Sequence, residues 1–237
     1  MKAEKYFYSA TACLFLILML NGFHAFLANG KGFRQRPIDS GIVVLDAVHG
    51  GAIALWFVLF LVQSLLIASR NRKLHMTLGW SALVLGPVIA CLGTLVAFHS
   101  VELSPNITFF GMLYSRFMLV MFTEMAMFAL FLTAGILTRK KPRIHRTMML
   151  MTSLTLIPGA LVRTAPLNSI FGESGWTGLF GSLLVLGALL FFVRWAMTRT
   201  FDRWYVASYA LLAVAYIGST YLANTATWDH LAAMMLR

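Results

Sequence analysis

The sequence predicts an all-α fold, a polytopic transmembrane helical bundle of about seven spans in a single domain. Three observations carry this. Only 11% of the 237 residues are charged and 59% are hydrophobic, whereas a soluble domain has about 25% charged residues. A globule with so few charges could not coat its own surface. The apolar residues also fall in long uncharged blocks, and about 20 such residues cross roughly 30 Å of hydrocarbon. Finally, the connections between blocks are short, as for neighbouring antiparallel helices in one bundle.

The spans are expected at residues 6–28, 42–69, 76–99, 109–138, 147–164, 176–197 and 205–224. The first follows Met1-Lys2-Ala3-Glu4-Lys5. Its apolar core is too long for a signal peptide and no clear small-x-small cleavage site follows, so it reads as an uncleaved span. In the third, Gly79, Gly86 and Gly93 recur every seven residues beside Ala82, Ala90 and Ala97. Such a stripe lets another helix, or a flat macrocycle, approach the backbone. Gly50-Gly51, directly after His49, has the same two readings. Pro158-Gly159 predicts a kink in the fifth span. Cys13 and Cys91 lie within apolar blocks and read as small hydrophobes. The segment after residue 225, with Trp228, Asp229 and His230, reads as an interfacial tail on the outer side.

The formal net charge is +11. Its cations form short clusters between apolar blocks, where positive charge sets membrane orientation; no basic stripe suited to nucleic acid is seen. Arg70, Arg72 and Lys73, then Arg139, Lys140, Lys141, Arg143 and Arg146, then Arg194, Arg199 and Arg203 fall on one side, together with Lys2 and Lys5. That side is expected to be cytoplasmic, in the cytoplasmic (inner) membrane. Asp39, Asp46, Glu102, Glu173 and Asp229 fall on the other side, where Lys31, Arg34 and Arg36 dissent from the rule. The expected surroundings are the lipid bilayer and, for some readings, other membrane proteins.

Ionisable groups inside spans are costly and call for a partner or a purpose. Glu124 sits near the middle of span four, and Arg116, eight residues earlier, is about 12 Å away along the same helix. Glu124 reads either as a proton or cation site or as a packing lock. Arg116 reads as a snorkelling cation or a structural partner for a carboxylate. The histidines gather at two levels. His75 and His145 open spans three and five at the basic side, while His49, His99 and His24 approach the other side. Neighbouring helices could hold b-type haem through axial pairs at these levels. His75 would pair with His145, and His49 with His99 or His24. Arg146 or Arg163 could meet the propionates, and Asp46, one turn before His49, could set that ring's tautomer. The bland alternative places the same histidines among headgroups. His145, Thr152 and Arg163 share one face of span five, a polar stripe expected to face the bundle interior.

Two segments carry a resemblance. Leu74-His75-Met76-Thr77-Leu78-Gly79-Trp80 resembles the LHxxLG signature of a family of predicted bacterial membrane proteins catalogued as domain of unknown function 2306. His145-Arg146-Thr147-Met148-Met149, with Arg163, resembles its second signature, Met151 standing where a second arginine is expected. The likeness runs from His49 to Arg163, and Gln63 fits it. It implies a helical bundle similar to the cytochrome b561-like proteins, whose four core helices bind two haems through histidine pairs.

Three functions compete: a haem-binding redox protein, a proton-coupled transporter centred on Glu124 and Arg116, and a non-catalytic membrane subunit or assembly factor. No Ser/His/Asp or paired-carboxylate arrangement marks an enzyme, and Asp46 and Glu124 are expected at different depths.

Overall fold

A computed structural model describes residues 2–32, 38–172 and 175–236. The chain is 82% helical. In lipid every backbone N–H and C=O must be satisfied within the segment, and an uninterrupted helix does this. Among the described residues five helical segments are long and apolar enough to cross a membrane: Val43–Ala68, Arg72–Leu103, Tyr114–Leu137, Thr177–Thr198 and Arg203–Ala223. Arg34, Arg36 and Glu173, weighed above for orientation, lie outside the described residues.

In chain order, α1 (Lys2–Gly22) and the short α2 (His24–Asn29) precede α3 (Val43–Ala68). The third apolar block is two helices, α4 (Arg72–Gly79) and α5 (Ala82–Leu103), separated at Trp80-Ser81. The fourth span begins later than its apolar run suggests. Residues Thr108–Phe109 (β1) and Met112–Leu113 (β2) form an antiparallel hairpin, and α6 runs from Tyr114 to Leu137. The hairpin turn holds Phe110 and Gly111 at φ 51° and 80°, the two left-handed positions that a tight type I′ turn demands. The fifth block is α7 (Pro142–Leu156) followed by α8 (Pro158–Leu161). Pro142 opens the first with φ already set for a helix and Pro158 interrupts it. Then come α9 (Ala165–Phe171), a π-helical turn Thr177–Gly181 continuous with α10 (Ser182–Thr198), α11 (Arg203–Ala223) and α12 (Ala226–Met235). The segment after residue 225, expected as an interfacial tail, is a helix capped by the Thr225 hydroxyl on Trp228 N.

The core is organised around α7. Its residues from Thr147 to Leu156 are buried except Met149, and it packs against α6, α11 and α3. Polar side chains on α7 are satisfied locally: Thr147 and Thr155 donate to carbonyls four residues back, and Thr152 to Met149 O at 2.7 Å. Ser153 Oγ accepts from Trp56 Nε1 at 3.2 Å, and the Trp56 ring meets Phe128 edge-on at 5.1 Å. Gly22 lets α1 touch α8 backbone to backbone: a Cβ there would lie 2.7 Å from Ala160 Cα. Such small-residue contacts hold membrane helices by close packing, since lipid supplies no hydrophobic drive between them.

One ion pair joins three helices. Arg194 on α10 and Asp202 before α11, 4% and 7% exposed, meet at 2.7 Å. The Asp202 carboxylate also accepts from Thr147 Oγ1 at 2.9 Å and caps Trp204 N and Tyr205 N. Removing one partner of a buried pair strands the other charge, which costs about 3–5 kcal/mol. Asp202→Ala should lower stability by about that amount, read as a shortened unfolding half-life in detergent. Glu102→Ala, at an exposed pair, should leave the half-life within experimental scatter.

Candidate functional site: two polar clusters at opposite ends of the bundle

Contacts bring the three basic connections to one end. Arg139 lies 5.8 Å from the Trp80 ring centre, Arg146 5.8 Å from the Tyr8 ring, and Thr147 bonds Asp202. The start of α1 therefore shares this end with the basic turns.

At this basic end the structure brings His75 and His145 together. Their ring centroids are 6.3 Å apart with planes at 85°, and both rings are half-buried. His145 Nδ1 faces Gly135 O at 2.8 Å. As a donor to that carbonyl it leaves the Nε2 lone pair available. Gln63, from α3, is held by the backbone of α4. Its amide nitrogen donates to His75 O at 3.1 Å and its oxygen accepts from Gly79 N at 3.0 Å, with the same nitrogen against His75 Nδ1. In that orientation His75 Nδ1 accepts and Nε2 keeps the proton; a half-turn of the amide reverses the tautomer. No three His, Cys, Asp or Glu side chains converge as a metal-ion site among the described residues.

The other expected pair does not form. His49 is wedged where a Cβ on Gly93 would lie 2.9 Å from its Cε1 and collide with Met125 Sδ. His99 sits about 9 Å further along α5 from Gly93, with half its side chain exposed, its Nδ1 3.0 Å from Glu102. His24 Nδ1 faces Asn21 O at 2.6 Å. Asp46 does not orient His49, whose Nδ1 is buried with no hydrogen-bond partner. The glycine stripe of the third block is filled by side chains of α6: a Cβ on Gly86 would strike Leu132. Beside Gly50 and Gly51 there is open space.

The second cluster lies at the end opposite the basic turns. Arg163, just beyond α8, donates to Gly159 O at 2.6 Å and covers the Phe23 ring at 4.7 Å. Its guanidinium is within electrostatic reach of Asp46 on α3 and of Glu124 and Tyr114 on α6. Tyr216 on α11, 1% exposed, is within electrostatic reach of Glu124. Arg163, Asp46 and Glu124 were each singled out in the sequence, but not as neighbours.

Arg116 is absent from this cluster. It forms a forked pair with Asp229 of α12 at 2.7 and 2.8 Å and donates to Asn224 Oδ1 at 3.3 Å. Trp228 Nε1 donates to Ser115 O at 3.1 Å, and Ala232 packs on Val101 and Met118. Arg116 is therefore a clasp for the C-terminal helix. Its hydrogen bonds hold the Asp229 carboxyl below the ordinary carboxylate range. A depressed folded-state pKa means that the anchoring is complete above the ordinary range and fades as pH falls through the depressed value. The protection of α12 backbone amides, measured against their intrinsic exchange rates at each pH, should fall on acidification over that window, and Asp229→Asn should show the low protection already at neutral pH.

Compared with protein-family models, with curated proteins and with solved structures, the chain matches none. The functional reading rests on these two clusters.

Proposed function

We propose that the chain is a redox protein of the cytoplasmic membrane. It crosses the bilayer seven times with its N-terminus inside and binds one b-type haem between His75 and His145. The paired imidazoles carry this reading. His75 and His145, with centroids 6.3 Å apart and perpendicular planes, are the two imidazoles that would hold the group, one from each side.

The bound haem would supply one-electron chemistry. The chain's own residues do the rest. Gly135 O fixes the tautomer and angle of His145. Gln63, held by His75 O and Gly79 N, leaves the proton of His75 on Nε2, so binding the group through Nε2 would require this amide to turn and give up both backbone bonds. Arg72, within electrostatic reach of His75, and Arg146 are the cations beside the pair. A single haem, in place of two, follows from the separate surroundings of His49 and His99.

Seven crossings are supported by length. Helix α1 has 21 residues, and α7 with α8 runs from Pro142 to Leu161, about 30 Å at 1.5 Å per residue. The gathering of basic turns at one end, with the start of α1, supports an inside N-terminus.

The test is a visible spectrum of the protein purified from cells with ample haem supply, before and after dithionite. Sharp reduced α and Soret bands are expected, lost in His75→Ala and in His145→Ala and kept in His49→Ala and His99→Ala. A colourless protein, or bands indifferent to His75 and His145, overturns the reading.

A further inference from the structure

Two basic turns meet at one corner of the bundle. The turn into α4 carries Arg70, Arg72 and Lys73, all exposed. The turn from α6 to α7 carries Arg139, Lys140, Lys141 and Arg143, exposed as well. Contacts hold the two turns side by side. Arg139 lies 5.8 Å from the Trp80 ring centre, and the His75 and His145 rings stand 6.3 Å apart. The sequence has no acid within residues 69–81 or 138–146. At the same end Asp202 is committed to Arg194 and Thr147, and Glu4 is flanked in the chain by Lys2 and Lys5. Cations are unfavourable in the first turn of a helix, yet α4 opens with Arg72-Lys73, and neither α4 nor α7 has an acid in its first turn. The corner thus concentrates positive charge that these two turns do not balance.

The same corner is apolar on its deeper side. Lys73, Met76 and Trp80 follow one another at i, i+3 and i+7, so they share one stripe of α4. Met76 and Trp80 are 61% and 58% exposed, and tryptophan favours the membrane–water interface. Further along, α5 exposes Val84 and Val88. Cation, indole, then aliphatic side chain is the order of chemistry met along a phospholipid from its phosphate to its chains. We propose that this corner, between the exposed face of α4 and the α6–α7 turn, binds an anionic phospholipid. Its phosphate pairs with the cations of the two turns, Arg139 being set over Trp80 for the purpose, and its chains run past Met76 and Trp80 onto α5. A zwitterionic lipid offers the same phosphate, but its own ammonium would enter a field that is already positive. Charge complementarity therefore selects the anionic headgroup.

Native mass spectrometry of the full chain, stripped of lipid in a neutral detergent, reads bound lipid molecules directly. Titrated with each lipid, the wild type should bind phosphatidylglycerol about tenfold or more tightly than phosphatidylcholine. Arg139→Gln with Arg143→Gln should weaken phosphatidylglycerol by about 30-fold and leave phosphatidylcholine unchanged. Arg199→Gln with Arg203→Gln removes the same charge from the third basic turn and should keep the preference. Inorganic phosphate in large excess should not displace the lipid, because it brings no chains to the apolar side. Matched elution and circular dichroism confirm that the variants fold, and the comparison of two lipids on the wild type needs no variant.

Equal affinity of the wild type for the two lipids overturns the proposal. So does an equal loss in both double variants, since net charge and not this corner would then attract the lipid. Displacement by inorganic phosphate overturns it as well, leaving a site for a free anion. The inference rests on the bilayer-crossing part of the proposed function and not on the haem. A colourless protein leaves the lipid preference standing, and a protein indifferent to lipid charge leaves the visible spectrum standing.

Discussion

The ion pair between Arg194 and Asp202 is the contact on which the architecture hangs. Asp202 serves four donors at once: Arg194 from α10, Thr147 from α7, and two backbone amides of α11. Two charges taken out of water are held only when the lone pairs left over are also satisfied, and here they are. The pair therefore sets the register of α10 and α11 against α7. Helix α7 in turn carries His145 at its first turns and leads through α8 to Arg163. Both clusters inherit their geometry from this knot.

The clusters divide the molecule by chemistry. At the basic end two neutral-capable imidazoles face each other with their Nδ1 atoms engaged by α3 and α6. At the other end the Arg163 guanidinium lies over Phe23 and bonds Gly159 O, within electrostatic reach of Asp46, Glu124 and Tyr114. Helix α3 supplies Gln63 to the first and Asp46 to the second, about 26 Å apart along one helix at 1.5 Å per residue. A rigid span with few internal breaks is what allows one element to serve both.

The helical blocks were legible because lipid imposes a length and a composition on any crossing segment. Five of the expected blocks correspond to long apolar helices. The level at which His75 and His145 lie was legible too, since each opens a span beside a basic turn. What the sequence hid was lateral. Arg116 was the cation nearest Glu124 in the chain, yet the fold gives Arg116 to Asp229 of α12. Sequence separation carries no information about which helices touch. Asp202 was masked by Arg199 and Arg203, although an acid just before an apolar helix is a capping signal. The hairpin at residues 108–113 was hidden because its Phe and Met residues extend the apolar run of α6, and only the Phe110-Gly111 turn betrays it. The glycine stripe of α5 admitted two readings, and methyl and thioether groups of α6 occupy it.

The hydroxyl-rich, buried character of α7 has a consequence for how the protein is made. With only 15 residues, four of them Thr or Ser, and hardly any face open to lipid, this segment has little reason to enter a bilayer by itself. Its neighbours must already be present to receive it. Biogenesis should then be hierarchical: the five long helices partition from the translocon first, and the segment from Pro142 to Leu161 is drawn in afterwards as the plug that closes the bundle. Under that order the turn at His145 is the last part of its cluster to be assembled, closing against a His75 already in place.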